Sequence, residues 1–306
     1  MYLAELPREP SGFICGRECM KVQGCDCSIV IKTIHKETDI PYSEETIREA
    51  VSLLQEEAAI EGDGICRAIR KRSGVTGCIV TPLTIGTAPL LLYLAMGSAG
   101  LPVFVSETRN LYSFNLDLLP LEDTDCFDLI QDRQGERKFF EDCKVQGFEL
   151  RFNRDEAVKL KIDVCGERPP IVYPYAETFQ KENGERYSGD NVTYKINNKE
   201  YSNIYGVTII TKKEGGTKTE IWIKRSLERG SDIPEIIDEL VIEAELLREK
   251  YEQRHFGAFR LTLERLVLIS DETSINATGA VMCPLRYYVA GVVSADVYAS
   301  GEGVIA

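Results

Sequence analysis

Hydrophobic and polar positions alternate with a period of two along Gly147 to Gly166, G-F-E-L-R-F-N-R-D-E-A-V-K-L-K-I-D-V-C-G. Phe148, Leu150 and Phe152 alternate with Glu149, Arg151 and Asn153; after a polar turn at Asn153 to Glu156 the period resumes with Val158, Leu160, Ile162 and Val164. Successive strand side chains point to opposite sides, so the stretch predicts an antiparallel hairpin with one apolar and one charged face. The charged face carries Glu149, Arg151, Lys159, Lys161 and Asp163. By itself the pattern fits an ordinary half-exposed hairpin of a sandwich or barrel, and the apolar face needs a cover from the rest of the chain.

On the amino-terminal side, Ser28 to His35 is rich in β-branched residues and predicts a strand. Ser43 then fits a helix N-cap, with Glu44 and Glu45 in the first turn and Ile47, Val51, Leu54 and Ala58 as one apolar stripe, ending at Glu61 to Gly64. The basic triplet Arg70-Lys71-Arg72 is too short for a nucleic-acid patch on this chain and is expected in a turn or subunit contact. Thr87-Ala-Pro89 opens a short apolar helix to Met96, with Gly97 as its stop. Strands are expected at Leu101 to Val105 and Tyr112 to Leu118. The acidic Glu122 to Asp132 and basic Arg133 to Lys138 then read as a long loop suited to an inter-subunit arm.

The proline cluster in Gly166 to Pro174 marks the best domain boundary, dividing the chain into 1–168, a first β-barrel unit with a cysteine-rich arm, and 169–306, a second barrel-like unit. Past it, strands are expected at Val192 to Ile196, Tyr205 to Lys212 and Thr219 to Lys224, with a turn at Gly215-Gly216. A second long helix is expected from Ser231 to Tyr251, on the stripe Ile237, Leu240, Val241, Ala244, Leu247 and Tyr251. Ala258 to Ile269 alternates again, and Leu285 to Tyr298 predicts a final long strand. The likeness of Cys27 to Glu37 and Tyr205 to Glu214 suggests a duplicated α+β unit.

Composition narrows the function classes. The 306 residues, 43% hydrophobic and 28% charged, describe a soluble globular protein, and no apolar run approaches the ~20 residues of a membrane span. The start lacks the basic and apolar segments of a signal peptide, so synthesis in a cytoplasm is expected, with the ten cysteines mostly as free thiols. Formal net charge is −13, which does not suit a protein built to grip a phosphate backbone but could let one slide past.

Catalytic material is sparse. His35 and His255 are the only histidines, and no G-x-S-x-G, H-E-x-x-H, P-loop or G-x-G-x-x-G occurs, so no catalytic, cofactor or metal residue is assigned. His255, beyond the expected second helix, fits a structural C-terminal cation. Of Cys15, Cys19, Cys25 and Cys27, the second pair, Cys25-x-Cys27, is too tight for a usual zinc knuckle and the stretch between the pairs is short, so free thiols are expected and metal binding by the four stays an open alternative. Trp222 is expected in a core or an interface.

The chain resembles the tail tube proteins of long-tailed bacteriophages and phage-derived particles. The resemblance is carried by Thr81-Pro-Leu-Thr84 to Gly97 with its leucine-rich helix, and by Phe140-Glu-Asp-Cys-Lys-Val-Gln-Gly-Phe-Glu-Leu leading into V-K-L-K-I-D-V-C-G. Arg229 to Pro234 and the closing strand from Arg286 to Tyr298 are similar to the second part of longer members. The resemblance implies an α+β, mainly β fold of antiparallel sandwich or barrel units with flanking helices, its inner sheet continued between subunits. It implies a non-enzymatic virion protein assembled in the host cytoplasm, forming hexameric or trimeric pseudo-hexameric rings stacked into a hollow tube. It also implies contacts with other tail proteins at the tube ends, DNA passing without specific binding, and the five charged residues above on the lumen or polar face. Two alternatives stay open: a soluble sandwich-type binding or adhesion module, and an Asp/Glu-dependent carbohydrate enzyme.

Overall fold

In the computed structural model the residues described are 27–34, 37–56, 67–98, 103–106, 111–133, 136–172, 184–226, 233–250, 253–272, 274–275 and 281–300. The first half holds β1 (Cys27–Lys32), β2 (Glu37–Asp39), β3 (Glu44–Glu45), β4 (Arg48–Glu56), β5 (Arg67–Pro82), α1 (Ala88–Met96), β6 (Val103–Ser106), β7 (Leu111–Asp117), β8 (Phe127–Arg133), β9 (Glu136–Asn153) and β10 (Lys159–Gly166). The second half adds β11 (Ile171–Val172), β12 (Val192–Ile196), β13 (Lys199–Glu200), β14 (Ile204–Lys212), β15 (Lys218–Ser226), β16 (Ile236–Lys250), β17 (Gln253–Asp271), β18 (Ser274–Ile275), β19 (Val281–Val289) and β20 (Val293–Ser300). The fold is mainly β, and every strand pairing is antiparallel.

The period-two stretch forms the centre of this network. Its two runs are the end of β9 and the whole of β10, with Glu149 opposite Lys161 and Arg151 opposite Lys159. Phe148, Leu150, Phe152, Leu160, Ile162 and Val164 are buried, as the alternation requires. From β10 the ladder runs outward to β5, and from β9 through β14, β15 and β19 to β17 and β16. β9 also serves a second, smaller sheet: its first residues pair with β8 and β11, and β8 pairs with β1. The switch falls near Asp142, at a positive φ of 51°.

The ladder curls back over itself. Phe152 of β9 and Phe259 of β17 are separated by three intervening strands, about 19 Å along a flat sheet at the usual strand spacing. Their ring centroids nevertheless lie 6.0 Å apart, and Tyr187 meets Phe259 edge-on at 5.0 Å. The bend is built at Arg265, whose φ is 54°. There β17 changes partners: Gly257 to Leu263 pair with β20, and Leu266 to Asp271 with β19. Ala290 N donates to Arg265 O, and Glu264 N to Val292 O, holding the corner. The expected single strand over Leu285 to Tyr298 is therefore one path broken at this corner.

The short helix forms as expected. Its residues are apolar all round, which suits a helix enclosed by protein, and all but Tyr93 are buried. It packs against β7, β9 and β20. Gly97 N donates to Tyr93 O at 2.8 Å, closing the last turn.

The two long helices expected at Ser43 to Ala58 and Ser231 to Tyr251 are corrected: the described residues of the first form β3 and β4, and those of the second form β16. Glu44 and Glu45 pair with Val80 and Ile79, and β4 pairs with β5 out to Glu56 opposite Arg67. β16 pairs with β17 from Ile236 opposite Val267 to Lys250 opposite Gln253. With that helix absent, the expected role of His255 as a helix-terminal cation falls too, because it stands in β17 opposite Arg248. The basic triplet lies within β5 rather than in a turn. The segment expected as a loop and arm from Glu122 to Lys138 is largely the β8–β9 hairpin.

Strands from either side of the Gly166 to Pro174 cluster share one ladder and one core: β14 pairs with β9, and β20 with β7. Backbones also approach closely at Gly74, where φ is +105° and an added Cβ would stand 1.9 Å from the Gly166 carbonyl oxygen.

Candidate functional face

The solvated side of the main ladder is a broad face built from aligned rows. One row crosses eight strands: Val80, Lys161, Glu149, Ile210, Glu220, Tyr288, Val267 and Ile236. Directly paired residues share a face, so this register alone places them side by side, over about 34 Å of sheet width. The neighbouring row runs Pro82, Lys159, Arg151, Thr208, Trp222 and Arg286. All five residues expected on the charged face, Glu149, Arg151, Lys159, Lys161 and Asp163, stand here.

Their charges are arranged in pairs along each strand. Arg151 Nε lies 2.5 Å from Glu149 Oε1, and Lys161 Nζ lies 3.2 Å from Asp163 Oδ1. Lys159 reaches Glu156 in the adjoining turn at 3.5 Å. The Arg151 guanidinium is held above its ordinary range, first by its hydrogen bond to Glu149. These are half-exposed pairs, each worth a few tenths of a kcal/mol, so they order the face more than they stabilise the fold.

Three features of the face had no sequence signal. Arg286 donates from Nε and Nη2 to Glu220 Oε2 at 3.0 and 2.7 Å, while its guanidinium lies over the Trp222 ring at 5.2 Å. Trp222 thus sits half-buried beneath a salt bridge on the outer face and not in the core. Next, Lys212 and Lys218 face each other directly across β14 and β15, with Lys224 further along β15. All three are exposed, and none makes an ion pair among the described residues. Finally, the row ends in exposed hydrophobics: Tyr288 is 40%, Val267 45% and Ile236 65% exposed, with Ile269 at 50% nearby. Each could be located only once the register between distant strands was known.

Among the described residues no group of three or more His, Cys, Asp or Glu is placed to hold a metal ion. His35, Cys15, Cys19 and Cys25 lie outside the described residues; Cys27 is half-buried in β1. Burial pushes the Cys143 thiol up to about 12, which keeps it protonated and a poor nucleophile at neutral pH. No helix among the described residues is long and apolar enough to cross a membrane.

Beneath the face, Lys213 is 2% exposed, with its Nζ 3.4 Å from the Met96 carbonyl at the end of α1. Burial, and secondarily the Lys144 charge, lowers its pKa from 10.5 to about 8. Lys144 itself donates to Leu121 O and Glu122 O at 3.1 and 3.0 Å. The folded state therefore holds this proton less tightly than the unfolded state, and stability rises with pH between about 8 and 10.5. The expected result is that wild type gains about 2 kcal/mol between pH 7 and 9.5 relative to Lys213→Met, read as the difference in urea unfolding free energy. Equal pH profiles for the two proteins would show that Lys213 is charged and solvated in the folded state.

A scan against protein-family models matches none of them, and a search of curated proteins finds no relative of this chain.

Proposed function

We propose that this chain is the subunit of a hollow tube, a phage tail tube or its phage-derived counterpart, through which duplex DNA passes. In this reading copies join laterally into hexameric or pseudo-hexameric rings, the rings stack, and the broad polar face lines the channel. The observation that carries the reading is the eight-strand row. One side of the sheet is committed to the core, while the other is a wide, charged surface that ends in exposed Val267 and Ile236. A solvated face whose row ends on exposed apolar residues, where β16 runs beyond the β12 ladder, is a surface for another chain.

Two ribbons add to this. β4 with the first part of β5, and the last part of β16 with the start of β17, continue their pairing beyond the reach of β10 and β20. Two-stranded ribbons are marginal alone, so both are suited to seating on a neighbouring copy. DNA passage asks no chemistry of any side chain. The subunit's place is then the virion tail, with other tail proteins at the tube ends.

Negative-stain electron microscopy of the purified chain across a concentration series, beside light scattering, tests the reading. Rings or tubes with a channel wide enough for duplex DNA are expected, and their symmetry is read directly. The double substitution Ile236→Asp/Val267→Asp is expected to leave the monomer folded by circular dichroism and to abolish assembly. A wild type that stays a monomer of 34.4 kDa at every concentration, or a double variant that assembles normally, overturns the proposal.

A further inference from the structure

We infer that the broad face is an electrostatic cradle for the phosphate backbone of duplex DNA, centred on Lys212, Lys218 and Lys224. The inference deepens the tube reading and rests on it for the direction the face takes in an assembly, but the binding itself belongs to the single chain.

The charge balance of the face is opposite to that of the protein. The chain carries −13, yet here Arg151, Lys159, Lys161, Arg286 and the three lysines outnumber Glu149, Asp163, Glu220, Glu156 and Glu44. Glu149, Asp163, Glu220 and Glu156 are already occupied, by Arg151, Lys161, Arg286 and Lys159 respectively, and Glu44 stands at the far side of the face, on β3 beside Val80. What remains uncompensated is positive charge on β14 and β15.

The placement of that charge points to a polymer rather than a small anion. Lys212 and Lys218 are directly opposed, a like-charge pair whose repulsion an anion would relieve. Lys224 lies six residues along the same strand and on the same face, about 20 Å away. A discrete anion needs donors converging within a few ångströms, whereas cations strung along a strand match the regular charge of a duplex. Lysine presents a mobile point charge without a fixed fork, which suits contact that reads no sequence and lets the ligand move. The same lysines could instead meet the acidic surface of another copy, and the test separates the two.

Fluorescence anisotropy of a labelled 20-base-pair duplex would be titrated with the full chain at a concentration where light scattering reads monomer. Binding independent of sequence is expected at 50 mM salt. Neutralising about three phosphates predicts roughly 20-fold weaker binding at 150 mM. The triple substitution Lys212→Gln/Lys218→Gln/Lys224→Gln should abolish most of the binding, whereas Lys199→Gln, on a different part of the sheet network, should not. Absence of binding at 50 mM, or binding unchanged by the triple substitution, overturns the cradle. Loss of ring assembly in the triple variant without DNA binding by wild type also overturns it, and assigns the lysines to contacts between copies. Because assembly is read by microscopy and binding by anisotropy, either can fail without the other.

Discussion

Phe259→Ala is expected to destabilise the protein by about 4 kcal/mol, with a urea midpoint falling accordingly and no recovery at any pH. Phe259 is 1% exposed and is the point at which the curled ladder closes on itself. Its ring meets Phe152 of β9 at 6.0 Å and the edge of Tyr187 at 5.0 Å. Truncation removes the transfer free energy of the ring and leaves a cavity bordered by two aromatics on separate elements. These cannot easily collapse, because each is held by its own strand or backbone bonds. Tyr187 N donates to Leu83 O at 3.0 Å and Val158 N to Tyr187 O at 2.8 Å, so its segment is fixed from both sides. Edge-to-face aromatic contact adds about 1 kcal/mol beyond area burial. Phe259→Leu, which refills part of the volume, should recover about half the loss. A loss under about 1 kcal/mol for Phe259→Ala would mean that β9 and β17 do not share a packed core.

Glu45→Ala is expected to cost about 3 kcal/mol, a large value for a residue at the rim of a sheet. Glu45 has a side chain only 7% exposed and ties the β3 strap to the small sheet. Its Oε1 accepts from the Ile47 amide and from Gln131 Nε2, the latter at 2.7 Å; its Oε2 accepts from Arg133 Nη2 at 2.7 Å. Gln131 is 2% exposed and also donates to Ile47 O at 3.0 Å, so the carboxylate joins three elements through one buried amide. Removing it orphans two donors away from water. Arg133, half exposed, can turn to solvent, and Arg133→Ala should cost under about 1 kcal/mol. Glu45→Gln keeps one acceptor and should fall between. Hydrogen exchange at the Ile47 amide should accelerate in Glu45→Ala; equal losses for Glu45→Ala and Arg133→Ala would remove the carboxylate from this role.

The parts of the face that were legible and those that were not differ in range. Glu149, Arg151, Lys159, Lys161 and Asp163 could be placed because the alternation and the turn lie within one contiguous stretch. The contribution of Lys212, Lys218, Lys224, Glu220 and Arg286 depends on β14 lying beside β9, and β15 and β19 beyond it, through pairings such as Gly147 with Lys212 and Glu220 with Tyr288 that join residues far apart in the chain. Acidity of the whole chain argued against a grip on a phosphate backbone, but net charge carries no information on where charges fall.

The misread helices show the same limit. Ser43 to Ala58 offers a cap, acids in its first turn and an apolar stripe, and Glu235 to Lys250 is rich in Glu, Leu, Ile and Ala, so both match a helical period. In the fold, Ile242, which lies off the expected stripe, is fully buried, because in a strand laddered to β12 and β17 it shares the core-facing side with Leu240 and Ala244. Helical preference is a few tenths of a kcal/mol per residue and local; antiparallel pairing with a strongly β-forming partner overrides it.

By itself, then, the sequence determined the elements whose evidence is local and whose two faces differ in solvation: the β9–β10 hairpin, the all-apolar helix with its proline start and glycine stop, and the short strands after Val192. Tertiary structure alone decided that β4 and β16 are strands, that β17 bends at Arg265, and that the free lysines gather on one face. Each of those outcomes turns on burial and hydrogen bonding supplied by residues distant in the chain, and a local pattern contains neither.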